Sequence, residues 1–153
     1  MQDRGRKLLW HGIALFLLGL LTGLVQQALR NPRMGLAAHL EGVMNGTFLL
    51  ALGAAWSKVR LSDRLSAAAY WTVLVGAYGN WVITMLAAAL GTAAMTPIAS
   101  AGFGAGRWQE ALVTFGFVVV GISILVASVL LLIGFRQHGQ SPPLNPGRLG
   151  DGN

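Results

Sequence analysis

The sequence contains no cysteine and few charged residues. Its 153 residues include 11 lysines and arginines but only 5 aspartates and glutamates. Charged residues make up 10% of the chain, against about a quarter in a typical soluble domain. The lack of cysteine excludes disulfides, thiolate metal sites, covalent haem attachment through a C-x-x-C-H motif and a cysteine nucleophile. The shortage of charge, together with 54% hydrophobic residues, indicates a protein that lies in lipid.

The basic residues stand between apolar runs and form no continuous basic face. This distribution is typical of membrane topology, so we expect contact with membrane lipid and no nucleic-acid partner. The N-terminus, the second connection and the C-terminal tail hold 8 of the 11 basic residues, and the first and third connections hold 3. This asymmetry predicts that both termini lie in the cytoplasm.

Four apolar runs are long enough to cross the hydrocarbon core of a bilayer as helices. They lie at about residues 8–28, 36–56, 65–90 and 108–135. They predict an all-α membrane protein, an antiparallel four-transmembrane-helix bundle. The Gly- and Ala-rich connection before the fourth run is the longest loop and could cover a site. Residues 136–153 hold three of the five prolines and predict a disordered cytoplasmic tail.

The second run carries three polar residues, His39, Glu41 and Asn45. Ionisable groups within a membrane are costly and are therefore candidates for function. On a helical wheel His39 lies on the side of Gly42 and Gly46, which predicts a shallow glycine-lined groove beside an imidazole. Glu41 and Asn45 lie on nearly the opposite side, one turn apart. The helix therefore has one face suited to a flat group and another suited to a polar one. We expect it to begin after Pro32 and Gly35, which punctuate a loop.

The third run carries small or polar residues at four-residue intervals, Thr72, Gly76, Asn80 and Thr84. A stripe that faced lipid would be Leu or Ile, so this stripe should face protein or a ligand. Tyr78 lies beside it.

The segment NPRMGLAAHLEGVMNG, residues 31–46, closely resembles the bacterial hydroxylaminobenzene mutases, which are small integral membrane enzymes of nitroaromatic degradation. The similarity continues through YGNW at residues 78–81 and MTPIA at residues 95–99, and covers about residues 8–135. It implies a multi-pass protein of the bacterial inner membrane. It also implies isomerisation of hydroxylaminobenzene to 2-aminophenol by intramolecular hydroxyl transfer from nitrogen to the ortho carbon, with no redox partner.

A more distant similarity is to the styrene oxide isomerases, whose second helix also has Ala-His, five residues, then Asn-Gly. It implies a homotrimer with non-covalent haem b between protomers, ligated by the histidine, with the iron as Lewis acid. The matching asparagines are Asn45 and Asn80. The chain departs from that family at Thr84, where the family has tyrosine, and at Gly76, where it has aspartate. Glu41 is shared with the mutases.

Together these observations predict the roles of eight residues. His39 is the expected haem and metal ligand, with Gly42 and Gly46 as cofactor contacts. Catalysis is assigned to Glu41, Asn45 and Asn80, and substrate contacts to Tyr78 and Thr84.

Each assignment has a structural alternative. His39 could bond only to a neighbouring helix, and Glu41 could reach lipid headgroups or pair with Arg33. The asparagines could join helices, and Tyr78 could be a packing aromatic.

Two other functions also remain open. An aryl epoxide isomerase is disfavoured by Thr84 and Gly76. A non-enzymatic haem-binding protein of the cytochrome type should have a pair of histidines deep in its spans, where this chain has only His39.

Overall fold

The computed structural model describes residues 2–136, and these residues form four long α-helices. The helices are α1 (Gln2–Val25), α2 (Pro32–Ala55), α3 (Asp63–Leu90) and α4 (Arg107–Arg136). Short 3-10 turns follow α1 at Gln26–Ala28 and α2 at Trp56–Lys58. The predicted all-α class is confirmed for this part of the chain. The predicted tail lies outside the described residues from position 137 onward.

All four helices begin before the predicted spans, by one or two residues in α3 and α4 and by more in α1 and α2. α1 starts at Gln2, ahead of the span predicted from residue 8, and Asp3 in its first turn forms ion pairs with Arg6 and Lys7 at helical spacing. The predicted start of α2 after Gly35 is wrong, since α2 begins at Pro32 with Asn31 as its cap. The Asn31 side chain accepts hydrogen bonds from the backbone N–H groups of Arg33 and Met34. Proline at the first helical position loses no hydrogen bond, so it starts this helix well.

Three of the helical segments are long and apolar enough to cross a membrane, namely Asp3–Ala28, Asp63–Leu90 and Arg107–Arg136. They support a membrane protein. α2 is not among them, because His39, Glu41 and Asn45 lower its hydropathy. The four-span arrangement therefore stays a prediction.

Consecutive helices run in opposite directions along their contacts. Gly5, Gly12 and Gly19 of α1 approach Gly53, Gly46 and Gly42 of α2 in reverse order. A similar reversal joins α3 to α4, where Gly76 meets Ile124 and Ile83 meets Gly116. α2 packs on α1 through glycines and on α3 through larger side chains such as that of Leu49. The polar residues on its two faces therefore lie next to different helices.

Candidate active site

His39 is half-buried at the contact between α2 and α1. Its Nδ1 lies 2.8 Å from the carbonyl oxygen of Gly19. A carbonyl can only accept, so Nδ1 carries the proton and donates it, and in this tautomer Nε2 carries the lone pair. The imidazole lies against Gly23, where a Cβ atom would be only 2.8 Å from Nδ1. This tautomer and this fixed ring are what a histidine metal ligand requires.

The predicted open groove beside His39 is wrong. A Cβ atom at Gly42 would lie 2.5 Å from Cα of Gly19, and one at Gly46 would lie 2.5 Å from the backbone nitrogen of Phe16. Both glycines are buried because the backbone of α1 fills the groove. Helix packing through small residues explains them, and they expose no bare backbone to a macrocycle here.

Glu41, Asn45 and Asn80 form one hydrogen-bonded cluster between α2 and α3. The side-chain Nδ2 of Asn45 donates to Glu41 Oε2 over 3.1 Å, and Asn80 Nδ2 donates to the same oxygen. All three residues are half-buried. Within residues 2–136, Glu41 Oε1 accepts no hydrogen bond. The structure thus brings together the three residues predicted to be catalytic and leaves one carboxyl oxygen for a further partner.

Asn45 also lines a cavity of about 230 Å³ between α2, α3 and α4. Ser128 is the other polar residue in its lining. The remaining wall is apolar and consists of Phe48, Val73, Ala77, Ile124, Ala127 and Leu131. An apolar cavity with two polar residues in its lining suits a small aromatic molecule with one polar substituent.

The two predicted substrate contacts are not brought to this cluster. The hydroxyl of Tyr78 donates to the main-chain carbonyl of His11 over 3.2 Å and lies 3.3 Å from His11 Nδ1. Tyr78 therefore faces α1. Thr84 is 3% exposed and lies one turn beyond Asn80 on α3, and no hydrogen bond among the described residues joins it to Glu41.

Arg33 does not pair with Glu41. Its guanidinium donates to the carbonyl of Ala101 and lies 5.8 Å from the centre of the Phe103 ring. Glu41 therefore has only amide partners in the described chain, which removes the ion-pair alternative for its role.

The sequence predicted no role for Asn31, which caps α2, or for Ser128, which lines the cavity. The Asn-Pro pair at 31–32 signals a helix cap and could have identified Asn31 as a structural residue. Ser128 has no comparable signal, since a serine in an apolar helix often bonds its own backbone.

Comparison with known proteins agrees with the resemblances noted above. A family model described as styrene oxide isomerase matches residues 4–136. Hydroxylaminobenzene mutase HabB of Ectopseudomonas oleovorans is 46% identical over 133 residues, covering 86% of this chain and 81% of the relative. Hydroxylaminobenzene mutase HabA of the same organism is 40% identical over 127 residues, covering 82% and 94%. No solved structure matches the chain. The chain is therefore an enzyme of the isomerase class and belongs to the styrene oxide isomerase family.

Proposed function

We propose that this enzyme isomerises hydroxylaminobenzene to 2-aminophenol inside the membrane. The observation that carries the proposal is the Glu41 carboxyl, whose Oε2 accepts two amide N–H groups while Oε1 has no partner in the described chain. The names of the two relatives, both hydroxylaminobenzene mutases, support this substrate. Substrate and product have the same composition, so the reaction needs no oxidant or reductant.

The cavity beside Asn45 is the proposed place for the aromatic ring. Its wall is almost wholly apolar, and Asn45 links it to Glu41. In this proposal, a ring held there directs its N–O group towards Asn45 and the Glu41 carboxyl that Asn45 binds. The apolar wall would also limit water around the reacting atoms.

Glu41 acts first as an acid in this mechanism. With Oε2 as the carbonyl-like oxygen that accepts two N–H groups, Oε1 carries the proton and donates it to the hydroxyl oxygen of the substrate. The N–O bond then breaks, and both electrons leave with the oxygen as water. Asn45 and Asn80 stabilise the carboxylate that remains, because each donates a hydrogen bond to it.

Glu41 then acts as a base. The released water adds to the ortho carbon of the delocalised cation and gives one proton to the Glu41 carboxylate. Loss of the ortho ring proton and protonation of nitrogen restore the aromatic ring as 2-aminophenol. Proton transfers balance over the cycle, and Glu41 returns to its starting form.

Haem b is the cofactor that the family resemblance implies, and His39 is the residue that would hold it. The imidazole fits this role because its Nδ1–H is held by the Gly19 carbonyl and its Nε2 can bind a metal. Bound haem would supply a Lewis-acid iron that polarises the N–O group. Gly42 and Gly46 are buried against α1 and are left out of this proposal.

A homo-oligomer, most simply a trimer, would bring the two halves of the site together. His39 contacts α1, whereas Glu41 contacts α3. The two side chains lie on opposite faces of α2, so we propose that His39 of one copy faces the Glu41 cluster of a neighbouring copy. Purified enzyme that is monomeric and fully active would contradict this arrangement. We further propose four membrane spans with both termini in the cytoplasm of a bacterial inner membrane.

An aryl epoxide isomerase is the second candidate, because the matching family model is described as styrene oxide isomerase. Gly76 and Thr84 replace two polar groups of that family, and Gly76 here is packed against Ile124. Supplying styrene oxide and hydroxylaminobenzene to the same preparation separates the two candidates.

The test of the proposed function uses detergent-purified protein and hydroxylaminobenzene. We expect 2-aminophenol to form, and Glu41→Gln to lower the rate by about 10²- to 10⁴-fold, since it removes the acid but keeps an acceptor. Asp63→Asn is the matched control, because Asp63 lies in the exposed first turn of α3. Unchanged activity in Glu41→Gln would overturn the assignment of Glu41, and failure of the wild type to form 2-aminophenol would overturn the function.

The haem proposal has its own measurement, the visible absorbance spectrum. His39→Ala should remove the absorbance of bound haem. His11→Ala should keep it, although it removes an equally half-buried imidazole. A colourless wild-type preparation would contradict haem binding without deciding the reaction.

A further inference from the structure

The connection between α3 and α4, residues 91–106, is closed at its neck by two charged side chains. We refer to residues 91–106 as the cap, which is distinct from the helix cap that Asn31 provides for α2. Arg30 donates to the carbonyl of Leu90 over 2.9 Å, just before the cap, and to that of Gly104 over 3.1 Å, near its end. Glu110 accepts from the N–H groups of Ala93 and Ala94 at 3.0 Å and from that of Ala105 at 3.3 Å. Arg30 thus joins the two ends of the cap through their carbonyl groups, and Glu110 joins them through their amide N–H groups.

Asn31 ties the middle of the cap to α2 and α3. The residue is fully buried, and its Nδ2 donates to the carbonyl of Ala99 and to Ser100 Oγ, each over 3.3 Å. Its Oδ1 caps α2, and its backbone N–H donates to the Ala88 carbonyl of α3 over 2.9 Å. Asn31 is therefore bonded to the cap through Nδ2, to α2 through Oδ1 and to α3 through its backbone N–H, so it joins the cap to the two helices that carry Glu41 and Asn80.

The cap covers an apolar cluster that lies between it and Glu41. The cluster consists of buried Met34, Ile83, Ala87, Ala88, Val113 and Val120, and Ala99 of the cap packs against it. Asn31 and Glu41 are ten residues apart on one helix, so the cap lies about 15 Å from the catalytic carboxyl. The buried apolar side chains of this cluster would keep water from this end of the site as long as the cap stays packed on them.

We infer that Asn31 and Glu110 are positioning residues that determine which product forms, because they keep the cap closed. This inference rests on the proposed function. In the mechanism above, the water released from the N–O group must add at the ortho carbon before bulk water arrives. Bulk water that reached the cation would add at the para carbon as well, giving 4-aminophenol, with the oxygen taken from solvent and the released water lost in exchange.

The experiment measures products and oxygen source in ¹⁸O-labelled water. Asn31→Asp keeps the helix-capping oxygen but removes the Nδ2 donor to the cap, and Glu110→Gln weakens the acceptor at the neck. Gln27→Glu and Asp63→Asn are the matched controls, since Gln27 is exposed and outside these bonds and Asp63 starts α3 without binding the cap. Hydrogen exchange of residues 93, 94 and 105 reports cap opening independently of activity.

We expect each cap variant to speed exchange at these amides by about tenfold, because Glu110→Gln weakens a charged hydrogen bond and Asn31→Asp removes the two bonds that Nδ2 donates to the cap. Solvent ¹⁸O in the product and the ratio of 4-aminophenol to 2-aminophenol should rise severalfold, with a smaller change in the total rate of substrate loss. Controls should match the wild type in all three measurements. If Asn31→Asp does not fold, Glu110→Gln carries the test alone.

Two results would overturn the inference. One is faster exchange in the cap with unchanged products and isotope content. The other is unchanged exchange in both variants, which would show that these side chains do not hold the cap closed. A wild-type enzyme that does not act on hydroxylaminobenzene would instead overturn the proposed function, and the exchange measurement would still report on the cap.

Discussion

The two faces of α2 differ in what holds them against their neighbours. Towards α1, Gly42, Gly46 and Gly53 are buried so closely that added Cβ atoms would collide with backbone. Towards α3, the contact combines apolar packing with a polar cluster in which Glu41 binds Asn45 and Asn80, and Asn45 also lines the cavity. The α1 side is thus specified by the absence of side chains, and the α3 side by larger side chains that include hydrogen-bonding groups.

The two faces of α2 therefore have different roles: the glycine face positions the helix, and the face with Glu41 and Asn45 carries the residues proposed for the reaction. The glycine face leaves no room for a ligand, so it fixes the position of α2 relative to α1. His39 stands at the edge of that face with its Nδ1 proton bonded to backbone. On the polar face, Glu41 Oε1 accepts no hydrogen bond within residues 2–136, and the Asn45 bound to Glu41 lines the cavity. Substitutions on the two faces should therefore have different consequences, the first chiefly on folding and the second chiefly on turnover.

The largest effect on folding should come from Gly42→Ala. The new methyl group would meet the Gly19 backbone at 2.5 Å, where neither helix can yield easily. We expect the free energy of unfolding to fall by about 1–3 kcal/mol, the usual cost of overpacking. Unfolding of the purified protein in a denaturing detergent titration measures it.

Gly121→Ala is the matched control for that substitution. Gly121 is an exposed helical glycine of α4 with open space around it. Alanine there should be neutral or stabilising by up to about 1 kcal/mol, from helix propensity. Equal stability in Gly42→Ala and wild type would contradict the close approach of α1 and α2.

On the polar face, Asn80→Ala should lower the rate of isomerisation and leave folding largely intact. It removes one of two donors to the Glu41 carboxyl, and a hydrogen bond to a charged group corresponds to roughly ten- to a hundredfold in rate. Because Asn45 binds the same oxygen, the double variant with Asn45→Ala should lose less than the product of the two single losses.

Thr72→Ala provides the comparison on the same stripe of α3. The Thr72 hydroxyl bonds only to carbonyls of its own helix, at Ala68 and Ala69. Its loss should leave the rate unchanged. Full additivity of the Asn45 and Asn80 losses would show that the two amides act separately and not through Glu41.

The cavity is tested by Ala127→Leu, with a smaller expected effect. Ala127 is 1% exposed and lines the cavity, so a leucine would fill space assigned to the substrate ring. We expect kcat/KM to fall by about tenfold, mostly through KM, since the carboxyl itself is untouched. Ala111→Leu, at an exposed position on α4, is the control. An unchanged KM in Ala127→Leu would place the ring elsewhere.

Much of this molecule could be predicted from the sequence because its signals are local. Apolar runs located all four helices, and the four-residue stripe on α3 correctly predicted that Gly76, Asn80 and Thr84 face protein. The i, i+4 spacing of Glu41 and Asn45 predicted that they share one face of α2, and in the structure their side chains are hydrogen-bonded. These features depend only on helical periodicity.

What could not be predicted depends on which helix lies against which. A row of glycines on a helix is compatible with a groove for a ligand and with a contact for another helix. At Gly42 and Gly46 the position of α1 shows that it is a helix contact. The same applies to Arg33, whose partner Ala101 is 68 residues away. The predicted start of α2 is wrong for a different reason: proline is typical of loops, but Pro32 follows the helix cap at Asn31 and begins the helix.

Tyr78→Phe should have the smallest effect of the series. Tyr78 lies two residues before Asn80, which turns its side chain by about 200° around the helix, away from the Glu41 cluster. Its hydroxyl is already bonded to the His11 carbonyl, so its loss should cost about 1 kcal/mol of stability and less than about twofold in kcat/KM. Steady-state kinetics beside unfolding data measure both. A tenfold rise in KM with unchanged stability would instead mean that the Tyr78 hydroxyl leaves His11 to bind substrate. The substrate would then lie close to α1 as well, and the assignment of the α1 side to packing alone would be wrong.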